Sequence, residues 1–149
     1  MFKKDFSIHF LFGSLFIIAI LNGYFFNWIN NSFFHFKSNG NELKEFNAIE
    51  RFAIIVIITP IVETYLFQYL PNIVMTKFKI SNKVLLILIP SIIFGCIHYY
   101  FWLYAAMAFI GGILINLLYV NIKIKSRYYF LIVSLFHSLY NMYGFLFIN

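Results

Sequence analysis

The stretch Ala48–Leu70, AIERFAIIVIITPIVETYLFQYL, decides the class of fold. Its 23 residues exceed the roughly 20 that a helix needs to cross the hydrocarbon core of a membrane, and most of them are apolar. Because lipid offers the backbone no hydrogen-bond partner, the segment should be helical in spite of its many Ile, Phe and Tyr residues. We therefore predict a transmembrane helix with Glu63 near its middle.

Four further stretches have the same character, namely Phe6–Ile29, Val84–Leu103, Tyr104–Val120 and Tyr128–Ile148. The chain of 149 residues is 62% hydrophobic and 11% charged, so it cannot supply the polar surface of a soluble domain and is too apolar to be disordered. We predict an all-α fold, a polytopic membrane bundle of about five transmembrane helices. The single cysteine, Cys96, excludes an internal disulfide and a cysteine-based zinc cluster.

A polar linker, Asn30–Asn47, is the one candidate domain boundary. It divides the chain into an N-terminal transmembrane anchor with its linker, residues 1–47, and a helical core, residues 48–149. The first stretch follows Lys3 and Lys4 as a signal peptide would, but it is too long and lacks a cleavage site of small residues. We interpret it as a retained anchor.

The basic residues predict the orientation in the cell membrane, since positive residues prefer the cytoplasmic side. Five crossings place eight of them on one side: Lys3, Lys4, Lys77, Lys79, Lys83, Lys123, Lys125 and Arg127. Three lie on the other side: Lys37, Lys44 and Arg51. This split predicts a cytoplasmic N-terminus and an outer C-terminus. The net charge of +6 then favours anionic headgroups of the lipid bilayer over nucleic acid as its partner.

Aromatic residues fall at both predicted membrane interfaces. The predicted outer belt consists of Tyr99, Tyr100, Trp102 and Tyr104, and the predicted inner one of Tyr128 and Tyr129.

Three ionisable residues, Glu63, His98 and His137, fall deep inside predicted helices. Each such group costs a few kcal/mol at the bilayer centre and is a functional candidate for that reason. Their neutral polar companions are Thr64, Gln68, Asn116 and Asn141. Taken singly, each group has a structural explanation: a protonated glutamic acid bonded to a neighbouring helix, a neutral histidine near the interface, or contacts between helices.

Taken together, the groups form a chemical set on three helices, which we expect to surround one small wet cavity. His137 and Asn141 are four residues apart and share a helix face, as do Phe94 and His98, while Gly95 allows another backbone to approach. A buried carboxylate can act as a general base on water. Imidazoles can bind a metal or steer that water, and an amide can donate to an oxyanion. The set predicts hydrolysis of an amide bond within the membrane.

The spacing of these residues follows three motifs, which read Glu63-Thr64-x-x-x-Gln68, Phe94-x-x-x-His98 and His137-x-x-x-Asn141. In this order they resemble the EExxxR, FxxxH and HxxxN/D motifs of the CAAX protease and bacteriocin-processing family (CPBP, or Abi) of intramembrane endopeptidases. The helix that carries Gly111 and Gly112 also resembles the G-x-x-x-G helix of this family. The resemblance makes residues 48–149 a CPBP-like intramembrane protease core.

The resemblance implies a role for each matching residue. Glu63 would activate the attacking water, His98 would position it or bind a metal, and His137 and Asn141 would stabilise the oxyanion. Thr64, Gln68 and Phe94 would support them. The implied enzyme is a glutamic or metallo-endopeptidase acting on a hydrophobic or lipidated (CAAX-type, prenylated) peptide. The cofactor stays open between none and a zinc ion held by Glu63, His98 and His137.

Two positions depart from the family pattern. Thr64 replaces the second Glu, and Gln68 replaces the Arg whose positive charge would hold the first carboxylate ionised. All four groups with direct roles are present, so we predict an active enzyme, and a catalytically inactive variant is the alternative. A second alternative, which is not an enzyme, is a membrane immunity or scaffold protein that uses the polar cluster for contacts between helices. A transporter has less support, because Glu63 is the one acid deep inside the predicted spans, and Glu50 lies at the end of its span.

The predicted boundaries place the site residues at different depths. Glu63 and His137 lie about nine residues from the basic ends of their helices, whereas His98 lies about fifteen from Lys83.

Overall fold

A computed structural model of the chain describes residues 7–37, 43 and 45–147. The helices in these ranges are α1 (Ile8–Phe34), α2 (Ala48–Lys77), α3 (Lys83–Ile97), α4 (Trp102–Lys123) and α5 (Tyr129–Phe147). All but α3, which has 15 residues, are long and apolar enough to cross a membrane. The chain is a multi-pass helical membrane protein, which confirms the predicted fold class.

Some residues used in the predictions lie outside the described ranges. They are Lys3, Lys4, Phe6, Lys44 and Ile148, together with residues 38–42 of the linker. The described basic residues near the α2–α3 and α4–α5 connections mark what we call the basic end of the bundle: Lys77, Lys79, Lys83, Lys123, Lys125 and Arg127.

Helix α4 is the central helix of the bundle. Its buried face forms the largest part of the hydrophobic core, whose members are Leu15, Ala19, Leu114, Ile115, Leu118, Tyr119, Val120, Ile122, Val133 and Phe136. Helix α1 also enters this core, because the ring of Phe136 meets those of Phe12 and Phe16 edge to face, with centroids 5.2 and 5.7 Å away. In addition, the Asn22 amide of α1 donates to the Met107 carbonyl of α4 at 3.1 Å. The division at residue 47 stays a prediction, but α1 packs as part of the same bundle.

Helix α2 runs through two prolines without ending. A π-helical turn precedes each of them: Ala53–Ile58 before Pro60, and Tyr65–Tyr69 before Pro71. A proline lacks the backbone N–H, and its ring clashes with the carbonyl four residues earlier. A π turn carries one extra residue, and such turns accompany bends where the regular hydrogen-bond ladder is interrupted. The predicted end of this span at Leu70 was therefore wrong, since the helix continues to Lys77.

The boundary between α3 and α4 also differs from the prediction. The Val84–Leu103 span ends early, at Ile97, and the next helix begins at Trp102. The cause lies in His98, whose ring Nδ1–H donates to the Phe94 carbonyl at 2.7 Å, taking the acceptor that the next helical N–H would use. The backbone N–H of His98 bonds instead to the Gly95 carbonyl at 3.1 Å, and the helix stops there.

Helices α3 and α4 approach each other closely at two glycines. A Cβ atom on Gly95 would lie 2.8 Å from Phe109 Cβ, and one on Gly112 would lie 3.2 Å from Phe94 Cδ1. Between these helices the buried Asn116 amide donates to Ser91 Oγ at 3.2 Å. The close backbone approach expected at Gly95 is confirmed, and it fixes the position of the α3 end that carries His98.

Gly95→Ala is expected to destabilise the bundle by about 1–3 kcal/mol, because the added methyl group overpacks the contact between α3 and α4. Gly13→Ala is the matched control, since a Cβ there meets nothing within 4 Å. The better helix propensity of Ala should leave that variant as stable as the parent or more so, by up to about 1 kcal/mol. Unfolding midpoints of the two variants in the same detergent would measure the difference. Equal midpoints would contradict the close packing at Gly95.

Candidate active site

The three ionisable residues predicted from the sequence meet in the structure. Glu63 of α2 lies between the two π turns, with Oε2 3.4 Å from His137 Nε2 of α5 and Oε1 3.7 Å from His98 Nε2 at the end of α3. The Glu63 side chain keeps 17% of its surface exposed and that of His98 keeps 15%, whereas His137 is buried. One carboxylate therefore sits between two imidazoles, each from a different helix, and two of the three groups are accessible.

The site residues on α2 and α3 lie at the same depth. Glu63 is 14 residues from Lys77, and His98 is 15 residues from Lys83. At about 1.5 Å per residue, both lie roughly 21 to 23 Å from the basic end. For Glu63, the unequal depth expected from the sequence came from ending α2 seven residues too early, at Leu70 rather than at Lys77.

The hydrogen bond of His98 to its own helix fixes which ring nitrogen faces Glu63. A carbonyl oxygen can only accept, so Nδ1 carries the hydrogen that it donates to the Phe94 carbonyl. In the neutral ring, Nε2 is then an acceptor with a lone pair, and it is this atom that lies 3.7 Å from Glu63 Oε1. His98 thus presents an acceptor to the centre of the site.

Phe94 contacts both imidazole rings of the site. Its own ring lies 4.4 Å from that of His98 and 5.8 Å from that of His137, centroid to centroid, the latter edge to face. On its other side it meets Phe67 of α2 at 5.6 Å, also edge to face. The shared helix face expected for Phe94 and His98 is confirmed by their tilted ring contact, and the ring of Phe94 also contacts the second histidine.

Asn141 is placed one turn beyond His137 on α5, and its amide faces α2. The Nδ2 group donates to the Ile55 carbonyl at 3.1 Å, within the first π turn of α2. Since a carboxamide nitrogen carries two hydrogens, one remains for another acceptor. Asn141 therefore links α5 to α2 beside the site. Among the described residues, it makes no hydrogen bond to Glu63.

Thr64 and Gln68 occupy the two positions at which the chain departs from the family pattern, and both side chains are fully buried. Among the described residues, Thr64 Oγ1, both amide atoms of Gln68 and Nδ1 of His137 have no hydrogen-bond partner. Buried polar groups normally have partners, so this unused hydrogen-bonding capacity makes the region a candidate for binding water or a polar ligand. Ser134, one turn before His137 on α5, has an equally unpartnered Oγ within these ranges.

The sequence prediction missed two residues of the site. Tyr104, predicted for the outer aromatic belt, is only partly exposed, and its ring packs against that of His98 with centroids 5.6 Å apart. Its neighbours in the predicted belt, Tyr99, Tyr100 and Trp102, are exposed. Ser134 was also missed, although its spacing of three from His137 placed it on the same helix face. No sequence signal identified Tyr104, because its position depends on where α3 ends.

The side chains that a metal ion would need are Glu63, His98 and His137. Within residues 7–37, 43 and 45–147, no three His, Cys, Asp or Glu side chains are arranged as a metal-binding group. Both imidazoles face different oxygens of one carboxylate. A zinc ion held by Glu63, His98 and His137 stays a prediction, as does a site that works without a metal.

Comparison with known proteins adds the family. The model of the family described as type II CAAX prenyl endopeptidase Rce1-like matches residues 45–143, about two thirds of the chain and all of the motifs above. No curated protein and no solved structure matches the chain significantly.

Proposed function

Because the chain belongs to the Rce1-like family of type II CAAX prenyl endopeptidases, we propose that it hydrolyses a peptide bond in the membrane with a water molecule activated by Glu63. The observation that carries this proposal is the position of the Glu63 carboxylate between the imidazoles of His98 and His137, with part of its surface accessible. This is the arrangement that general-base catalysis requires, since the base must be reachable by the water and oriented by fixed neighbours.

His98 gives the water its orientation in this proposal. A water bound between Glu63 Oε1 and His98 Nε2 would donate one hydrogen to each, because both atoms are acceptors. Its oxygen lone pair would then point away from both, toward the carbonyl carbon of the substrate. As that bond forms, Glu63 takes a proton from the water. The same carboxyl group then returns the proton to the leaving nitrogen as the C–N bond breaks.

We assign His137 and Asn141 to the oxyanion that develops on the substrate carbonyl. His137 faces the other carboxylate oxygen of Glu63 from the one that His98 faces, and Asn141 follows one turn later with one amide hydrogen left for the substrate. Preorganised donors of this kind stabilise charge in a site from which water is excluded. Both residues lie on α5, so a single rigid helix would present them together.

We propose that the departures at Thr64 and Gln68 leave the enzyme active. Neither side chain carries a charge, but both bring hydrogen-bonding groups that the described residues do not use. The direct chemical groups of the site, a base, an acceptor for water and two donors, are all present.

The proposed substrate is a hydrophobic or prenylated peptide that reaches the site from the bilayer. In the proposed orientation the basic end faces the cytoplasm, with the N-terminus on that side of the cell membrane and the C-terminus outside. Support comes from Lys and Arg at the ends of α2 and α4, against Lys37 and Arg51 near the opposite end. Reporter fusions to each terminus would establish the orientation.

The proposed activity can be tested with the purified protein in liposomes. Farnesylated peptides that end in a CAAX sequence would be added, and the products identified by mass spectrometry. We expect release of the last three residues from the prenylated peptide and slower or no release from the unprenylated one. Failure to cleave any lipidated or hydrophobic peptide, with the protein folded, would contradict the proposal.

Cleavage is expected to persist after treatment with a strong chelator, to within about twofold. The reason is that the described residues offer a general base but no arranged set of three metal ligands. The measurement is the initial cleavage rate before and after dialysis against 1,10-phenanthroline, with its non-chelating isomer as control. A loss of rate that added zinc restores would show that Glu63, His98 and His137 act as ligands instead.

A further inference from the structure

We propose that the end of α1, residues Asn30–Phe36, positions the catalytic histidine His98 by clamping the turn between α3 and α4. This inference rests on the proposed function, because it gives the segment a role in the reaction assigned to Glu63. The segment lies before residue 45, where the family match begins, so the match does not account for it.

The clamping segment has a well-defined conformation. Asn30 makes two side-chain hydrogen bonds to the backbone of Phe36, since its Nδ2 donates to the carbonyl and its Oδ1 accepts from the N–H, each at 3.0 Å. His35 between them adopts a left-handed conformation with φ 56°, and its N–H donates to the Asn30 carbonyl at 2.7 Å. Such a reversal after a helix is costly for a residue with a Cβ and persists only where the surroundings hold it.

Aromatic contacts join this segment to the turn after His98. The ring of Phe36 stacks on Phe101 with centroids 5.0 Å apart, and that of Phe34 meets Trp102 edge to face at 5.1 Å. Phe34 and Phe36 also stack on each other at 5.4 Å. We call these four rings the aromatic clamp. Phe101 is the last residue of the turn and Trp102 is the first of α4. The clamp therefore contacts the point at which the turn after His98 enters α4.

The contacts continue from the clamp to the catalytic ring. Phe101 lies 5.8 Å from Tyr104, and Tyr104 lies 5.6 Å from His98, centroid to centroid. His98 directly follows the last residue of α3, Ile97. On its C-terminal side, the position of His98 therefore depends on a turn of three residues and not on a continuing helix. Displacement of the turn would move the His98 ring relative to Glu63, and a misplacement of about 1 Å can slow catalysis by about a hundredfold.

The test uses Phe36→Ala, with Phe33→Ala as the matched control. Phe33 lies in the same segment, Asn30–Phe36, but its ring is 66% exposed and contacts Trp28, which is outside the clamp. In Phe36→Ala we expect kcat for the prenylated peptide to fall about tenfold to a hundredfold while KM changes less than threefold. Phe36→Tyr, which keeps the stacked ring, should restore the rate, and Phe33→Ala should match the parent protein.

A second readout does not depend on activity. Cys96, the one cysteine of the chain, is exposed and lies two residues before His98, so it can carry a nitroxide spin label. We expect the label to become more mobile in Phe36→Ala and in Asn30→Ala, which loses both hydrogen bonds to Phe36, and to stay unchanged in Phe33→Ala. The mobility would be measured on protein whose far-ultraviolet circular dichroism matches the parent.

The two readouts separate this inference from the proposed function. If the parent protein cleaves and Phe36→Ala cleaves equally well, or if the label is as mobile in Phe36→Ala as in the parent, the clamp has no positioning role. If the parent protein does not cleave at all, the proposed function fails, and the label still decides whether the segment holds the turn. Should Phe36→Ala not fold, Asn30→Ala takes its place with the same expected outcomes.

Discussion

Glu63→Gln is expected to abolish cleavage, with a loss of about a thousandfold or more in kcat. The glutamine keeps the size and hydrogen-bonding reach of the side chain but cannot take a proton from water, and general-base catalysis typically contributes about 10²- to 10⁴-fold. Binding of substrate should change little, because the proposal gives Glu63 no contact with the peptide before the water attacks. The measurement is single-turnover cleavage in liposomes, together with KM where any rate remains.

A matched control for this variant lies on the same helix. Glu50→Gln makes the identical substitution at the start of α2, where Glu50 is exposed and caps the helix by accepting a hydrogen bond from the Asn47 N–H at 2.8 Å. The Gln side chain can accept the same bond, so this variant should retain full activity. Equal cleavage by Glu63→Gln and the parent protein would remove the mechanism, even if the protein proves to be a peptidase.

His137→Gln is expected to lower kcat by about a hundredfold while the protein stays folded. The imidazole is buried, contacts Phe94 and has Nε2 3.4 Å from Glu63 Oε2. In the proposed mechanism, its removal takes away a donor to the developing oxyanion. Removal of one such donor typically costs about 10²- to 10³-fold in kcat. Glutamine keeps a polar group and most of the volume, which limits the change in packing.

The same variant separates an enzyme from a scaffold protein. If the polar cluster serves only to hold helices together, His137→Gln should lower the unfolding midpoint, and there would be no cleavage to lose. If the cluster is catalytic, cleavage should fall far more than stability. His9→Gln is the control, since His9 is exposed on α1 and far from the cluster in sequence. A large loss of stability with cleavage unchanged would favour the scaffold.

The parts of the structure that follow from helix periodicity could be predicted. The pairs Phe94/His98 and His137/Asn141 each share a helix face because the residues are four apart, and apolar runs of about 20 residues identify the long helices. The convergence of a carboxylate and two imidazoles also follows in outline, because buried polar groups in lipid need polar partners.

The parts that depend on local backbone detail could not be predicted. The predicted span ended at Leu70, whereas the π turn before Pro71 lets α2 continue to Lys77. The end of α3 depends on one side chain, since His98 bonds to the carbonyl of its own helix. Once that end is known, the place of Tyr104 against His98 follows. Hydropathy predicts neither the continuation of α2 past Pro71 nor the end of α3, because the sequence around both points stays apolar.

The two π turns of α2 limit how the gene can change. Loss of a single codon within Ala53–Ile58 would leave the hydropathy of the span almost unaltered, and the segment could close into an ordinary α-helix. Each residue accounts for about 100° of helix rotation, so the half of α2 that carries Glu63 would turn by that angle relative to the half that Asn141 holds at Ile55. The carboxylate would then swing away from both imidazoles, and an in-frame deletion that looks harmless in alignment would leave an inserted, folded and inert protein.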